Sequence, residues 1–172
     1  ILLGFGLAAI VGVAVGLAIG GVESLFRILN VPILMVYALP TIALFPIFVL
    51  FFGIGTLQKV VFGASWGVLP IMVNTIAARR AVPKTLLTLG KSIGGSQRLI
   101  WWKIALPSCL PLIATGLRIG MVYTILGVIV AELFMSSAGI GQKLVVTSRH
   151  FQMASYFFYV AVLSAVSLAL TY

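Results

Sequence analysis

The 172-residue chain is 62% hydrophobic and only 8% charged, with a formal charge of +9 and a mean hydropathy of +1.27. Ordinary soluble domains are about half apolar and about a quarter charged, so these values exclude that class and make lipid the solvent. A lone Cys109, a lone His150 and the lack of any Asp exclude an internal disulfide, a metal site and a Ser-His-Asp nucleophile.

In chain order, apolar runs cover Ile1–Gly20, Ile28–Gln58, Val60–Ala78, Ile104–Ala131 and Met153–Tyr172, the fourth broken only by Arg118. Each reaches the roughly 20 residues that carry a helix across about 30 Å of hydrocarbon, which predicts an all-α, polytopic bundle of about five spans. The runs are continuous instead of alternating, which argues against a β-barrel. The chain begins without an initiator Met and ends at Tyr172 within an apolar run, so it reads as a piece of a longer protein. No basic residue precedes the first run, which fits a signal peptide poorly.

Within the first run Gly4, Ala8, Gly12, Gly16 and Gly20 recur every fourth residue, which stacks small side chains on one helix face and predicts close packing against a neighbour. The second run is too long for one straight span and holds three prolines. Pro32 fits a first helical turn, while Pro40 and Pro46 predict a kink, and in lipid a kink survives where protein or a water-filled path satisfies the freed backbone groups. Both are therefore candidates for a translocation path.

Between the third and fourth runs lie Arg79, Arg80, Lys84, Lys91, Arg98 and Lys103, six of the eleven basic residues. The positive-inside rule places this loop, about residues 79–103, in the cytoplasm. Counting spans puts Arg27 on the same side and Lys59, Lys143 and Arg149 on the other, with Met135–Gln152 outside. Because the charges gather at membrane boundaries, they indicate anionic lipid and not nucleic acid as their partner.

The loop itself predicts two short amphipathic helices on the membrane surface. Pro83 can open the first, Leu86, Leu87, Leu89 and Ile93 give it an apolar side, and Gly94-Gly95 permits a sharp turn. The second carries Arg98, Trp101, Trp102 and Lys103, suited to the headgroup level, and Pro107 marks entry into the next span. Such a loop can dock a partner or rest on lipid. Gly90-Lys91-Ser92 does not complete a phosphate-binding loop, since Thr85 stands where a glycine is needed and no buried strand precedes it.

In the fourth run and at its end, Arg118 and Glu132 are intramembrane ionisable groups about 21 Å apart along a helix, so each needs its own partner. Both are path candidates. Arg118 suits an anionic cargo, and equally suits carbonyls freed near Pro111. These features leave two kinds of protein open, a transporter or channel and a purely structural membrane subunit.

The spacing Gly94, nine residues, Ile104, one residue, Leu106-Pro107 resembles the cytoplasmic signature of permease subunits of bacterial ATP-binding-cassette importers: EAA, three residues, G, nine residues, I, one residue, LP. Thr88-Leu89-Gly90 replaces the EAA. The stretches LPTIALFPIFVLFFGIG, LPSCLPLIATGLRIG and VIVAELFMSSAGIGQKL are similar to the branch that imports nitrate, sulfonates, taurine and bicarbonate, a type I fold. The resemblance implies that residues 1–172 form one permease domain in the inner membrane, missing terminal parts. It implies that Pro83, Leu86, Leu87, Thr88, Leu89, Gly90, Gly94, Gly95, Ile104, Leu106 and Pro107 form a coupling loop seated on a separate cytoplasmic ATPase. ATP and Mg would be bound there and no cofactor by this chain. A second permease copy and an extracytoplasmic binding protein complete the implied importer, with a small oxyanion or sulfonate as cargo. The alternative is a secondary transporter or channel independent of an ATPase.

Overall fold

The computed structural model describes residues 1–135 and 138–171. Of the expected features, Ser136 and Ser137 in the outside segment and Tyr172 at the end of the fifth run lie outside the described residues. The described residues are mostly helical and hold no strand: α1 (Leu2–Gly21), α2 (Glu23–Ala38), α3 (Phe45–Phe52, entered through a 3-10 turn at Thr41–Leu44), α4 (Thr56–Arg80), α5 (Lys84–Ser92), α6 (Gln97–Ile100), α7 (Leu106–Phe134), α8 (Ile140–Arg149) and α9 (Met153–Thr171). Four continuous helices are long and apolar enough to cross a membrane, and the bent pair α2–α3 makes a fifth crossing.

The core is α1, α4 and α7. Gly4, Ala8, Gly12 and Gly16 are buried on one face of α1. A β-carbon on Gly12 would stand 2.8 Å from Ile71 Cγ2, one on Gly16 2.6 Å from Thr75 Cβ, and one on Gly20 2.8 Å from Arg79 Cβ. The partners advance together along both chains, so α1 and α4 run parallel with their backbones nearly touching. Across the other face of α4, Gly63 meets Val128, Gly67 meets Thr124 and Asn74 meets Gly116, a descending order that makes α7 antiparallel. Small residues thus replace the hydrophobic driving force that lipid does not supply. Thr75 and Thr124, both fully buried between these helices, donate their hydroxyls to the carbonyls of Ile71 and Gly120 at 2.7 and 2.8 Å, so neither hydroxyl is stranded.

Two expectations about prolines change. Pro32 lies inside α2 and not in its first turn, because the helix starts at Glu23, earlier than the apolar run. The break falls at Leu39-Pro40 alone, where α2 and the Thr41–Phe52 segment meet at 82°. Pro46 takes the first turn of α3, where its missing N–H leaves nothing unpaired, so it causes no kink.

The second short helix of the loop is also revised. It does not lie apart on the surface: α6 passes through a π-helical turn at Trp101–Ala105 directly into α7, giving one helix over Gln97–Phe134. Pro107 is the physical reason. It offers no N–H to the Lys103 carbonyl, and the ladder shifts by one residue instead of ending, with the Leu106 N–H donating to the Trp101 carbonyl.

Candidate coupling loop and translocation path

After α4 the chain turns at Pro83, whose extended backbone caps α5 and whose carbonyl accepts from the Leu86 N–H at 3.1 Å. The other end of α5 is closed by a paired cap: the Gly94 N–H donates to the Lys91 carbonyl and the Gly95 N–H to the Gly90 carbonyl, each at 3.0 Å. The cap requires Gly94 at φ 78°, a left-handed conformation that side chains resist. No atom lies within 4 Å of where its β-carbon would be, so backbone conformation and not space demands the glycine.

Gly90 is buried, and a β-carbon there would lie 2.9 Å from Ile104 Cδ1 and 3.0 Å from Ile100 Cγ1. The first and second halves of the loop are therefore locked through a position where only a very small residue fits, with Ile104 as its counterpart. Leu87, expected on the outward knob, instead packs inward on the cluster of Ala78, Val82, Ala105, Cys109 and Ile113. Leu86, Leu89 and Ile93 stay exposed, Ile93 the most at 83%, and with the exposed Thr88 they form the outward side of α5. Leu106 and Pro107 lie in the first turn of α7. The Arg79 guanidinium stacks 4.4 Å over the Trp101 ring, joining the end of α4 to the π turn. Beside it Arg80 pairs with Glu23 at 2.9 Å, and Glu23 also binds Arg27 at 3.1 Å. The residues expected on the basic side are thus brought to one end of the bundle.

At the bend, Tyr37, Pro40, Thr41, Trp66, Leu69 and Tyr123 enclose most of a pocket of about 250 Å³. Trp66 lies ten residues past the start of α4 and fourteen before its end, so the pocket is near mid-depth. Of the path candidates only Pro40 touches it. Arg118 is exposed on α7 between the buried Gly116 and Gly120. Glu132 is held elsewhere, at the opposite end from the loop: Lys59 Nζ approaches Oε1 at 3.6 Å, and the Gly141 N–H donates to Oε2 at 2.9 Å. Lys59 also donates to the Ala138 carbonyl at 2.7 Å, which ties α4 to the connection between α7 and α8. Gly139, at φ 128°, leaves room for the carboxylate, which a side chain there would strike. The three aromatic residues of the pocket escaped sequence reasoning. The one available signal was Tyr37 placed a single turn before Leu39-Pro40.

Five crossings, a break at mid-depth beside a pocket, and a basic glycine-capped loop at one end describe a multi-pass membrane subunit. The chain belongs to the family described as the binding-protein-dependent transport system inner membrane component, which matches residues 8–172. That family comprises inner-membrane permease components of ATP-binding-cassette importers. The chain is 32% identical to the taurine transport system permease protein TauC of Escherichia coli, over 78% of its own length and 49% of that protein. It is 29% identical to the riboflavin transport system permease protein RibX of Chloroflexus aurantiacus (77% and 50%) and 30% identical to the nitrate import permease protein NrtB of Synechocystis (80% and 50%). The chain spans about half the length of these curated relatives.

Proposed function

We propose that this chain forms, with a second copy of the permease, the translocation path of an ATP-driven importer for a small oxyanion or sulfonate. A cytoplasmic ATPase holds ATP and Mg and receives the loop, and an extracytoplasmic binding protein delivers the cargo. Relatives named for taurine and nitrate support that cargo class. Residues 1–172 act as one permease unit, with Pro40 on the path and Arg118 and Glu132 as its charged flanks.

The observation that carries the reading is the construction of α5. Leu87 and Gly90 anchor it, the Gly94 cap ends it, and Leu86, Leu89 and Ile93 are left outward on a basic surface. An exposed apolar knob on a rigidly held short helix is what a groove on a moving partner needs in order to push the spans. Gly94→Val should uncouple transport, because a β-branched residue resists the left-handed cap, while Gly94→Asn, which tolerates it, should keep most activity. The check is co-purification of the ATPase together with substrate-stimulated hydrolysis. Normal values for Gly94→Val would remove the loop from the coupling role.

A further inference from the structure

Between the start of α2 and the end of α4 a groove of about 210 Å³ runs inward from the basic end of the bundle, and its polarity changes with depth. Arg80 and Phe26 form the mouth, Asn30 and Ala77 follow, and Ile33, Leu34 and Val73 line the deep part. We propose that the groove binds one anionic phospholipid, with its phosphate at the mouth, an ester carbonyl at Asn30 and the upper part of one acyl chain along the apolar wall.

The mouth holds a surplus of positive charge. Arg80 Nη1 donates to Glu23 Oε2 at 2.9 Å and Arg27 Nε donates to Glu23 Oε1 at 3.1 Å, so two guanidiniums share one carboxylate. One positive charge is left over, and each guanidinium, with five N–H groups, keeps several to donate. The Arg80 guanidinium is also fixed in place, 3.7 Å over the Phe26 ring. A planar donor held still at a membrane boundary and only partly neutralised suits a phosphate, which Arg grips through two parallel bonds.

Depth assigns the rest of the ligand. Asn30 is about 10 Å along α2 from Glu23, and Val73 is about 10 Å along α4 from Arg80. Helix side chains lean toward the N-terminus, which for α2 is the mouth. The headgroup and ester region of one leaflet is about 5–8 Å thick, so the Asn30 amide falls at its lower edge. That amide has no hydrogen-bond partner among the described residues. An amide in hydrocarbon without an acceptor is costly, and an ester carbonyl supplies the acceptor at this depth. Below Asn30 the wall is apolar, and each methylene buried on it favours binding by about fourfold.

Size separates a lipid from a protein occupant. One turn of helix with its side chains, about 10 Å across and about 5.4 Å high, fills roughly 400 Å³. The groove has about half of that, enough for a chain one methylene wide. None of the residues of α2 is buried, so a lipid can enter sideways from the bilayer.

The test uses the full-length permease purified in detergent, titrated with dioleoylphosphatidylglycerol or dioleoylphosphatidylcholine, with bound lipid counted by native mass spectrometry. The wild type should retain one phosphatidylglycerol per copy, about fivefold more tightly than phosphatidylcholine, for the one surplus charge. Arg27→Gln/Arg80→Gln should hold the two lipids equally. Asn30→Leu should weaken both about fivefold and keep the preference. Ala77 is exposed, so Ala77→Phe fills the groove from its open side and should release both lipids while the thermal midpoint stays near wild type. Equal retention of the two lipids by the wild type overturns the proposal, as does wild-type retention in Ala77→Phe. Displacement of phosphatidylglycerol by glycerol 3-phosphate at equal concentration would show an anion site without a tail and overturns it too. A cysteine at Ala77, in a background lacking Cys109, that links two permease copies by a disulfide would place the second copy in the groove and equally overturns it. A wild type that retains no lipid, together with an Ala77→Phe variant that loses stability, would give the groove to another part of the chain and end the proposal.

Discussion

A methyl group decides whether α1 and α4 can meet. At Gly16 a β-carbon would stand 2.6 Å from that of Thr75, closer than real side chains pack, whereas at Gly6, on the same helix, it would meet nothing within 4 Å. Gly16→Leu is therefore expected to force the two helices apart and destabilise the subunit by about 1–3 kcal/mol or more, and Gly6→Leu to be close to neutral. Thermal unfolding in detergent followed by tryptophan fluorescence makes the comparison, and equal midpoints for the two variants would sink the packing argument. The stripe on α1 was legible in the sequence because five small residues share one register. Its counterparts share the spacing, Gly63 with Gly67 and Gly116 with Gly120, but which face meets which appears only when α4 and α7 are laid antiparallel, Gly127 included.

Among the elements, prolines show how far local rules reach. Pro40, Pro46 and Pro107 all follow a large apolar residue, yet one breaks a span by 82°, one starts a helix without strain, and one converts a turn from α to π. Which outcome occurs depends on whether the carbonyl four residues earlier has another donor, and that is set by neighbours distant in sequence. The π turn has a consequence for the coupling loop. One extra residue per turn rotates everything before it by about 100° relative to α7, and that rotation brings Ile100 and Ile104 over Gly90. Pro107→Ala restores the missing N–H and lets the turn relax to α geometry, so Ile100 should swing off Gly90. Amide hydrogen exchange in Leu86–Ser92 should then quicken several-fold while α4 and the middle of α7 keep their protection. Unchanged exchange in α5 would mean that the π turn does not hold the loop in register.

For the molecule as a whole, charge and geometry give the same two ends. Glu23, Arg27, Arg79 and Arg80 gather where α1 and α4 finish and α2 begins, and Lys59, Glu132 and the α7–α8 connection gather where α4 begins and α7 finishes. At about 1.5 Å per residue, the 21 residue steps of α4 from Lys59 to Arg80 separate these groups by about 32 Å, enough to cross the hydrocarbon. The grouping of the basic residues at one end was readable from the sequence alone, because crossing a membrane with a cluster of them is costly whatever the packing. The bundle's internal order, with α1 parallel and α7 antiparallel to α4, needed the close approaches of glycines. Cysteines placed singly at Ser96, in the loop, and at Ser148, exposed on α8, provide the test. The background lacks Cys109, a buried thiol that donates to the Ala78 carbonyl at 3.5 Å. An impermeant thiol reagent added outside intact cells or spheroplasts should label the Ser148 position and spare the Ser96 position, with the pattern reversed in inside-out vesicles. Labelling of both positions from one face would require an even number of crossings between them, and the single crossing made by α7 would be wrong.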